Sequence, residues 1–291
     1  MSGFVLAAAA YDLSWFDRFD DYAAKIGSWV AGAAARGAKL AVFPEYGAME
    51  LTSLGGRAVA ADLERGLHEV ARHWPAVDAL HVELARRHDM ILLGASAPFF
   101  DGARPVNRAV LYGPDGVIGH QDKQIMTRFE RETWDVVAGQ GLAPFDTDLG
   151  KIGVVICYDS EFPLLARHLV DQGAEVLLAP SCTDSLAGFT RVRVGSMARA
   201  LENQCIVAHA PTVGACDFCP AVDENWGSAA IYGPPDRGFP PTGILAETPM
   251  NVAGWAVAPV SLAAVREVRR DGGVLNHLHW PEQHQRVAGR G

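Results

Sequence analysis

Lys39-Leu40-Ala41-Val42-Phe43-Pro44-Glu45 is a short apolar run of strand-favouring residues, ended by a proline that leaves a carboxylate where the strand stops. Before it, Phe16, Phe19, Ala23, Ile26, Val30 and Ala33 recur at steps of three and four, which marks one face of a helix over Ser14–Arg36. Ser14 is the expected N-cap and Gly37 the expected stop. After it, a second helical stretch runs to about His88, with a break expected at Pro75, and Met90-Ile91-Leu92-Leu93-Gly94 follows as another buried strand. The order is β-α-β, which calls for an α/β fold.

The remainder extends this rhythm. Strands are expected at Arg108–Tyr112, Val117–His120, Lys151–Ile156, Val176–Ala179 and Cys205–Ala208, with helices over about Leu164–Gln172 and Thr190–Asn203. The turn Tyr112-Gly113-Pro114-Asp115 is echoed at Tyr232-Gly233-Pro234-Pro235-Asp236, which hints at two similar halves. Two sheets packed face to face with helices outside would house so many buried strands.

Composition narrows the classes of function. A chain of 291 residues that is 49% hydrophobic can build a large core, and no linker-like stretch divides it, so a single domain over 1–291 is expected. Its 25 basic and 34 acidic residues give a net charge of -9 without basic clustering, which argues against nucleic acid and anionic membranes as partners. The apolar run Phe4–Ala10 is too short to span a bilayer and has no basic leader. Five cysteines, an odd number in a long chain, fit free thiols in a reducing, cytoplasmic setting.

One of those cysteines stands out. In Ile152-Gly153-Val154-Val155-Ile156-Cys157-Tyr158-Asp159 a buried strand ends at Cys157 and a helix starts within a few residues. Backbone N–H groups at such a turn favour a thiolate and can receive an oxyanion; the alternative is a small apolar residue that simply ends a core strand. An unperturbed thiol is only about 3% ionised at pH 7, so a nucleophile needs a base or a cation nearby. His68, His73, His81 and His88 fall on amphipathic helical stretches, and His120 and His209 at strand ends bring no accompanying Asn or Asp pattern. Glu45, half enclosed behind Pro44, is the better base, and Lys123 in His120-Gln121-Asp122-Lys123-Gln124 is a candidate cation.

Taken together, Phe43-Pro44-Glu45, Asp122-Lys123 and Ile156-Cys157-Tyr158-Asp159 resemble the nitrilase superfamily, the carbon-nitrogen hydrolases with a Glu-Lys-Cys triad. The resemblance covers almost the whole chain and extends to Phe129-Glu130-Arg131-Glu132 before Gly139, Gly150-Lys151-Ile152-Gly153 and Arg199-Ala200-Leu201-Glu202-Asn203-Gln204. It implies a four-layer α-β-β-α sandwich that forms a homodimer through a helical face, with the tail from about 266 to 291 at a subunit interface. It implies Glu45 as general base, Lys123 as the cation that stabilises the tetrahedral intermediate, Cys157 as nucleophile and the Tyr158 N–H as oxyanion donor. Spacing to Gly139 assigns the family's second glutamate to Glu132, ahead of Glu130. Tyr46, Cys182 and Thr183 are expected to touch substrate. The implied reaction is cofactor-independent hydrolysis of a small-molecule amide through a thioester, since Tyr158-Asp159 stands where true nitrilases commonly carry Trp-Glu. Carbamoyl hydrolysis, nitrile hydrolysis, acyl transfer and a catalytically silent scaffold are the alternatives.

Three features are set apart from this chemistry. Cys216-Asp217-Phe218-Cys219 has metal-pair spacing without a second pair. His277, His279 and His284 lack an acidic or thiol co-ligand at a typical spacing, and Gly55-Gly56 lacks the Lys and Ser/Thr of a phosphate loop.

Overall fold

The fold is organised around a strand whose sequence shows no period. Phe4–Asp12 in the computed structural model, which describes residues 3–287, sends Leu6, Ala8 and Ala10 to one side and Ala7, Ala9 and Tyr11 to the other, and all six are fully buried. A strand covered on both faces has no polar side to betray it. It pairs in parallel with Ala38–Val42 and antiparallel with Gly254–Val260, and Ile91–Leu93, Pro105–Gly113 and Gly116–Asp122 extend the sheet beyond Ala38–Val42. A second sheet runs Phe145–Thr147, Gly150–Val154, Val176–Ser181, Ile206–Ala215, Ala230–Tyr232 and Ile244–Glu247. The two are joined at one corner, where Tyr11 and Asp12 pair in parallel with Thr212 and Val213.

Three apolar layers make this a four-layer α-β-β-α sandwich. Leu40, Val42, Leu93 and Leu111 of the first sheet meet Ile152, Val154, Leu178 and Ile206 of the second in the middle layer. Outside the first sheet, Phe43, Leu92 and Tyr112 pack on Tyr22, Ile26, Val30 and Leu84 of the Phe19–Ala34 and Trp74–His88 helices. Outside the second, Leu177, Val207 and Tyr232 pack on Ala166, Leu169 and Ala200 of the Pro163–Asp171 and Leu186–Asn203 helices.

Several boundaries depart from expectation for identifiable reasons. The first helix starts at Phe19, because the Ser14 N–H donates to Glu50 Oε1 (2.7 Å), the Ser14 hydroxyl accepts from Lys25 Nζ (2.9 Å), and the Phe16 N–H donates to Ser53 Oγ (3.0 Å). The break expected at Pro75 is present: one helix ends at Ala71 and the next, Trp74–His88, holds Pro75 in its first turn, where no intrahelical N–H is needed. Asp62 starts a separate helix, Leu63–Ala71, by accepting from the Glu64 and Arg65 N–H groups. Of the two aromatic turns only Gly113–Gly116 closes a tight hairpin; Ala230–Tyr232 reaches its partner strand through a longer loop.

The expected tail begins inside a core helix. Leu262–Asp271 buries Leu262, Val265 and Val268, and Arg266 makes a two-pronged bond to Glu175 (2.8 and 2.7 Å). The Gln204 side chain then accepts from the His277 N–H and donates to the Val274 carbonyl, while the Arg167 guanidinium lies 5.0 Å from the Trp280 ring. The end of that tail, 288–291, lies outside the described residues.

Glu50 ties the first layers together. Fully buried, it accepts from Tyr11, Ser14 and Lys25, and burial raises its carboxyl to about 7 against the opposing charge of Lys25. A carboxyl raised in the folded state contributes stability at low pH that is lost as pH rises toward 7. The thermal midpoint of the wild type relative to Glu50→Gln is therefore expected to fall between pH 5 and pH 8, measured by parallel melts.

Candidate active site

Glu45, Lys123 and Cys157 are each placed by the end of a strand. Glu45 follows Ala38–Val42, and the chain turns at once because Tyr46 adopts a left-handed conformation (φ 54°), its N–H donating to Ser96 Oγ (3.0 Å). Lys123 follows Gly116–Asp122, its N–H donating to the Asn107 carbonyl (2.9 Å) and its carbonyl accepting from the Gly139 N–H (2.8 Å). That approach requires a glycine, since a Cβ on Gly139 would sit 2.2 Å from the Asp122 Cβ. Cys157 opens the 3₁₀ turn Cys157–Glu161 after Gly150–Val154, with φ +49°, a conformation that costs a non-glycine residue about 1–3 kcal/mol and recurs at functional sites.

These three side chains converge in one buried cluster. Lys123 Nζ, 1% exposed, donates to Glu45 Oε1 (2.8 Å) and to Glu130 Oε2 (2.7 Å). Glu45 Oε1 also accepts from Asn107 Nδ2 (2.9 Å), and Oε2 from the Cys182 N–H (2.9 Å). The Cys157 thiol points at the Cys182 carbonyl (3.7 Å), so one residue touches both the carboxylate and the sulfur. Glu130 accepts further from Tyr46 Oη (2.7 Å) and from the Thr127 N–H and hydroxyl (2.8 Å each). Asp159 accepts from the Gln124 and Ile125 N–H groups (3.0 and 2.8 Å), which clamps the segment after Lys123 to the turn that carries Cys157.

Charge decides the resting protonation. Burial alone would depress Lys123, but the Glu130 and Glu45 carboxylates hold it well above the usual lysine range. Burial raises Glu45, with Lys123 opposing and the Glu130 charge adding. Glu130 stays below the usual carboxylate range because Lys123, Thr127 and Tyr46 outweigh its burial. Burial and the Glu45 charge push the Cys157 thiol well up, so it rests as a neutral thiol beside a carboxylate. The sequence argument favoured a thiolate; a five-residue 3₁₀ turn does not offset burial next to an anion.

A cavity of about 1070 Å³ opens onto this cluster, lined by all three residues and by Tyr46, Tyr158, Cys182 and Thr183. Its walls mix apolar and aromatic side chains (Met126, Phe129, Trp134, Phe162, Val192) with charged ones of both signs, Arg128, Arg131, Glu161, Asp184, Arg191 and Asp223 among them. Tyr46 packs against Trp134 (centroids 4.9 Å) and Tyr158 lies edge-on to Phe162 (4.8 Å). Thr183 Oγ1 donates to the Trp226 carbonyl (2.9 Å), which fixes the wall beside Cys182. Pro220 and Ala221 bring the loop after Cys216 and Cys219 to the same cavity, and both thiols are free and buried.

The second-glutamate expectation is corrected. Glu132 points outward, its side chain 57% exposed, and pairs with Arg128 one turn earlier (2.8 Å); Glu130 holds Lys123 instead. The local sequence contained the signal, because Thr127-Arg128-Phe129-Glu130 is a capping box, in which the glutamate folds back over the start of its own helix. Among the described residues no histidine lines the cavity: His120 is exposed, and His209 is buried beneath the site against Ser181 Oγ (2.8 Å), with burial holding its imidazole down to about 3. Asn107, Ser96 and Asp159 were absent from the expected site. Buried polar residues on strands and turns give no local signal of the groups they meet.

Comparison with known proteins agrees with this architecture. Residues 7–270 match the family model described as Carbon-nitrogen hydrolase. The chain is 33% identical over 265 residues to "Probable hydrolase YhcX" of Bacillus subtilis (strain 168), covering 91% of this chain and 51% of that protein. It is 28% identical to "Deaminated glutathione amidase" of Synechocystis sp. (strain PCC 6803 / GT-S), over 67% of this chain and 72% of that one. It thus spans about half the length of the first curated relatives it matches. Among solved structures, the carbon-nitrogen hydrolase from Helicobacter pylori G27 superposes with a TM-score of 0.76 at 19% identity over 98% of this chain and 96% of that one. The amidase from Nesterenkonia sp. AN1 does so with 0.70 at 20% over 97% and 99%. A motif order read along the sequence, a four-layer fold and a family match over nearly the whole length lead to one conclusion: the chain belongs to the carbon-nitrogen hydrolase family.

Proposed function

We propose that this chain hydrolyses a small-molecule amide through a thioester on Cys157, giving a carboxylic acid and ammonia or an amine. The observation that carries the reading is the convergence of Glu45, Lys123 and Cys157 on one cavity, with a neutral thiol beside a carboxylate and a cation held by two. Glu45 takes the thiol proton as sulfur attacks the carbonyl carbon, and the carbonyl electron pair moves to oxygen. Lys123 donates two of its three hydrogens to carboxylates, and the third, with the Tyr158 N–H, meets that oxyanion. Collapse breaks the C–N bond and protonated Glu45 gives its proton to the departing nitrogen. Water then attacks the thioester with Glu45 again as base, releasing the acid and restoring the thiol. No step calls for a cofactor or a metal.

Several observations favour an amide. Tyr158-Asp159 follows the nucleophile, and relatives of this chain are named omega-amidase (Xenopus laevis) and deaminated glutathione amidase. One solved form of the Nesterenkonia amidase, a glutamate-to-glutamine mutant, carries the acetamide moiety of fluoroacetamide at its active-site cysteine. Tyr46, Cys182 and Thr183 line the cavity and are the side chains that would touch the substrate beside the triad. Carbamoyl and nitrile substrates would use the same triad and are arms of the test. The exposed apolar residues Leu164, Leu186, Val194 and Leu201 on the helices outside the second sheet support a homodimer through that face, and five free cysteines support a cytoplasmic setting.

Incubation with small amides, carbamoyl compounds, nitriles and fluoroacetamide, followed by intact-protein mass spectrometry, tests the mechanism. An acyl or acetamide adduct on the wild type and none on Cys157→Ala is expected, with turnover abolished in that variant and reduced about 10²–10⁴-fold in Glu45→Gln. No adduct and no ammonia release across the panel would support a silent scaffold instead. Glu130→Ala leaves Lys123 with one carboxylate in a buried site, and losing a partner from such a pair typically costs about 3–5 kcal/mol. A markedly lower denaturation midpoint and lost turnover are expected there, whereas Glu132→Ala changes neither.

A further inference from the structure

The two oxygens of Glu45 sit in different surroundings. Oε1 accepts from Lys123 Nζ (2.8 Å) and Asn107 Nδ2 (2.9 Å), which fills both of its lone pairs. Oε2 accepts from the Cys182 N–H (2.9 Å), and Cys182 also presents its carbonyl to the Cys157 thiol (3.7 Å). The open lone pair of Glu45 therefore lies on the side of the nucleophile.

Asn107 produces that asymmetry, and its orientation is fixed from behind. It is fully buried on the Pro105–Gly113 strand, and its Oδ1 accepts from Ser96 Oγ (2.6 Å). The Ser96 hydroxyl accepts from the Tyr46 N–H (3.0 Å) and donates its own hydrogen to Asn107 Oδ1. An ionised Glu45 only accepts, so the amide turns its NH₂ to Oε1 and its oxygen to the Ser96 hydroxyl, and a directed chain runs from the Tyr46 N–H through Ser96 and Asn107 to Glu45 Oε1.

We infer that Asn107, oriented by Ser96, is a positioning residue that confines proton transfer at Glu45 to Oε2 and keeps Glu45 a carboxylate in the resting site. The inference rests on the reading of Glu45 as the base. A thiol proton taken by Oε2 is already aimed at the leaving nitrogen above Cys157; one taken by Oε1 would face Lys123 and Asn107, away from it. The ionisable groups around Glu45 are Lys123 from the end of one strand, Glu130 from the Arg128–Glu132 helix, Cys157 and Asp159 from the 3₁₀ turn, Cys182 after Val176–Ser181, and its neighbour Tyr46. Against a net negative surround, the Asn107 donor adds stabilisation of the carboxylate without adding charge.

Alkylation of Cys157 by iodoacetamide, followed by peptide mass spectrometry from pH 5 to 9, tests this without a known substrate. In the wild type the rate is expected to rise along an acidic limb set by Glu45, and Glu45→Gln to lack that limb. Asn107→Leu removes the donor at similar volume, which raises the pH needed to ionise Glu45, so the limb moves up by half a unit or more and the rate within it falls at least threefold. Ser96→Ala, which removes only a hydroxyl that does not touch Glu45, is expected to move it in the same direction by less and decides the matter if Asn107→Leu does not fold. A rate scaled equally at every pH with the limb unmoved, in folded variants, marks a packing role and overturns the inference. A Glu45→Gln profile identical to wild type overturns the base reading itself.

Discussion

Everything at this site depends on one buried cation. Lys123 sits at 1% exposure between Glu45 and Glu130, contributed by segments that follow different strands, and none of the three charges is tolerable in that position without the others. The cost of removing them from water is offset by mutual attraction only because the remaining acceptor sites are filled as well, by Asn107, the Cys182 N–H, Tyr46 and Thr127. The cluster is thus a structural joint and a source of reactivity at once. It leaves a net negative charge beside Cys157, which, with burial, keeps the thiol protonated in the resting site.

The sandwich supplies the geometry that joint needs. Glu45 and Lys123 leave strands of the first sheet, Cys157 and Cys182 leave parallel strands of the second, and the parallel pairing of Tyr11 with Thr212 brings the two sheets together at a corner. Ligand sites in open α/β sheets lie beyond the carboxyl ends of parallel strands, because chain reversals there free both backbone donors and side chains. Two such edges from two sheets meet here. Left-handed backbone at both Tyr46 and Cys157 marks where the chain turns sharply enough to present the Glu45 carboxylate and the Cys157 sulfur to the same space.

A network of uncharged groups then discriminates between atoms that chemistry alone would treat as equal. Ser96 and Asn107 carry no charge and do not line the active-site cavity, yet they set which oxygen of Glu45 is free. The Asp159 carboxyl works in a similar way at a distance, accepting two backbone N–H groups that fix the Lys123 segment relative to the Cys157 turn, while burial raises it to about 7. Positioning of this kind is inexpensive in net charge, which matters in a site already carrying three buried ions.

The sequence by itself placed Glu45, Lys123 and Cys157 near strand ends, because strand ends, proline and glycine punctuation and apolar periodicity are local properties of the chain; it was the resemblance of their three motifs to a known family that implied one site and a four-layer order. It also held, in the Thr127–Glu130 capping box, the means to prefer Glu130 over Glu132, although spacing to Gly139 pointed the other way. It did not mark Phe4–Asp12 as the central strand, since a strand buried on both faces and rich in alanine has neither polar alternation nor high strand propensity. Only the tertiary structure decided the partners of buried polar groups: Asn107 lies 62 positions from Glu45, and Cys182 lies 137. A hydrogen bond across that separation depends on how two sheets settle against each other, and no stretch of neighbouring residues carries that information.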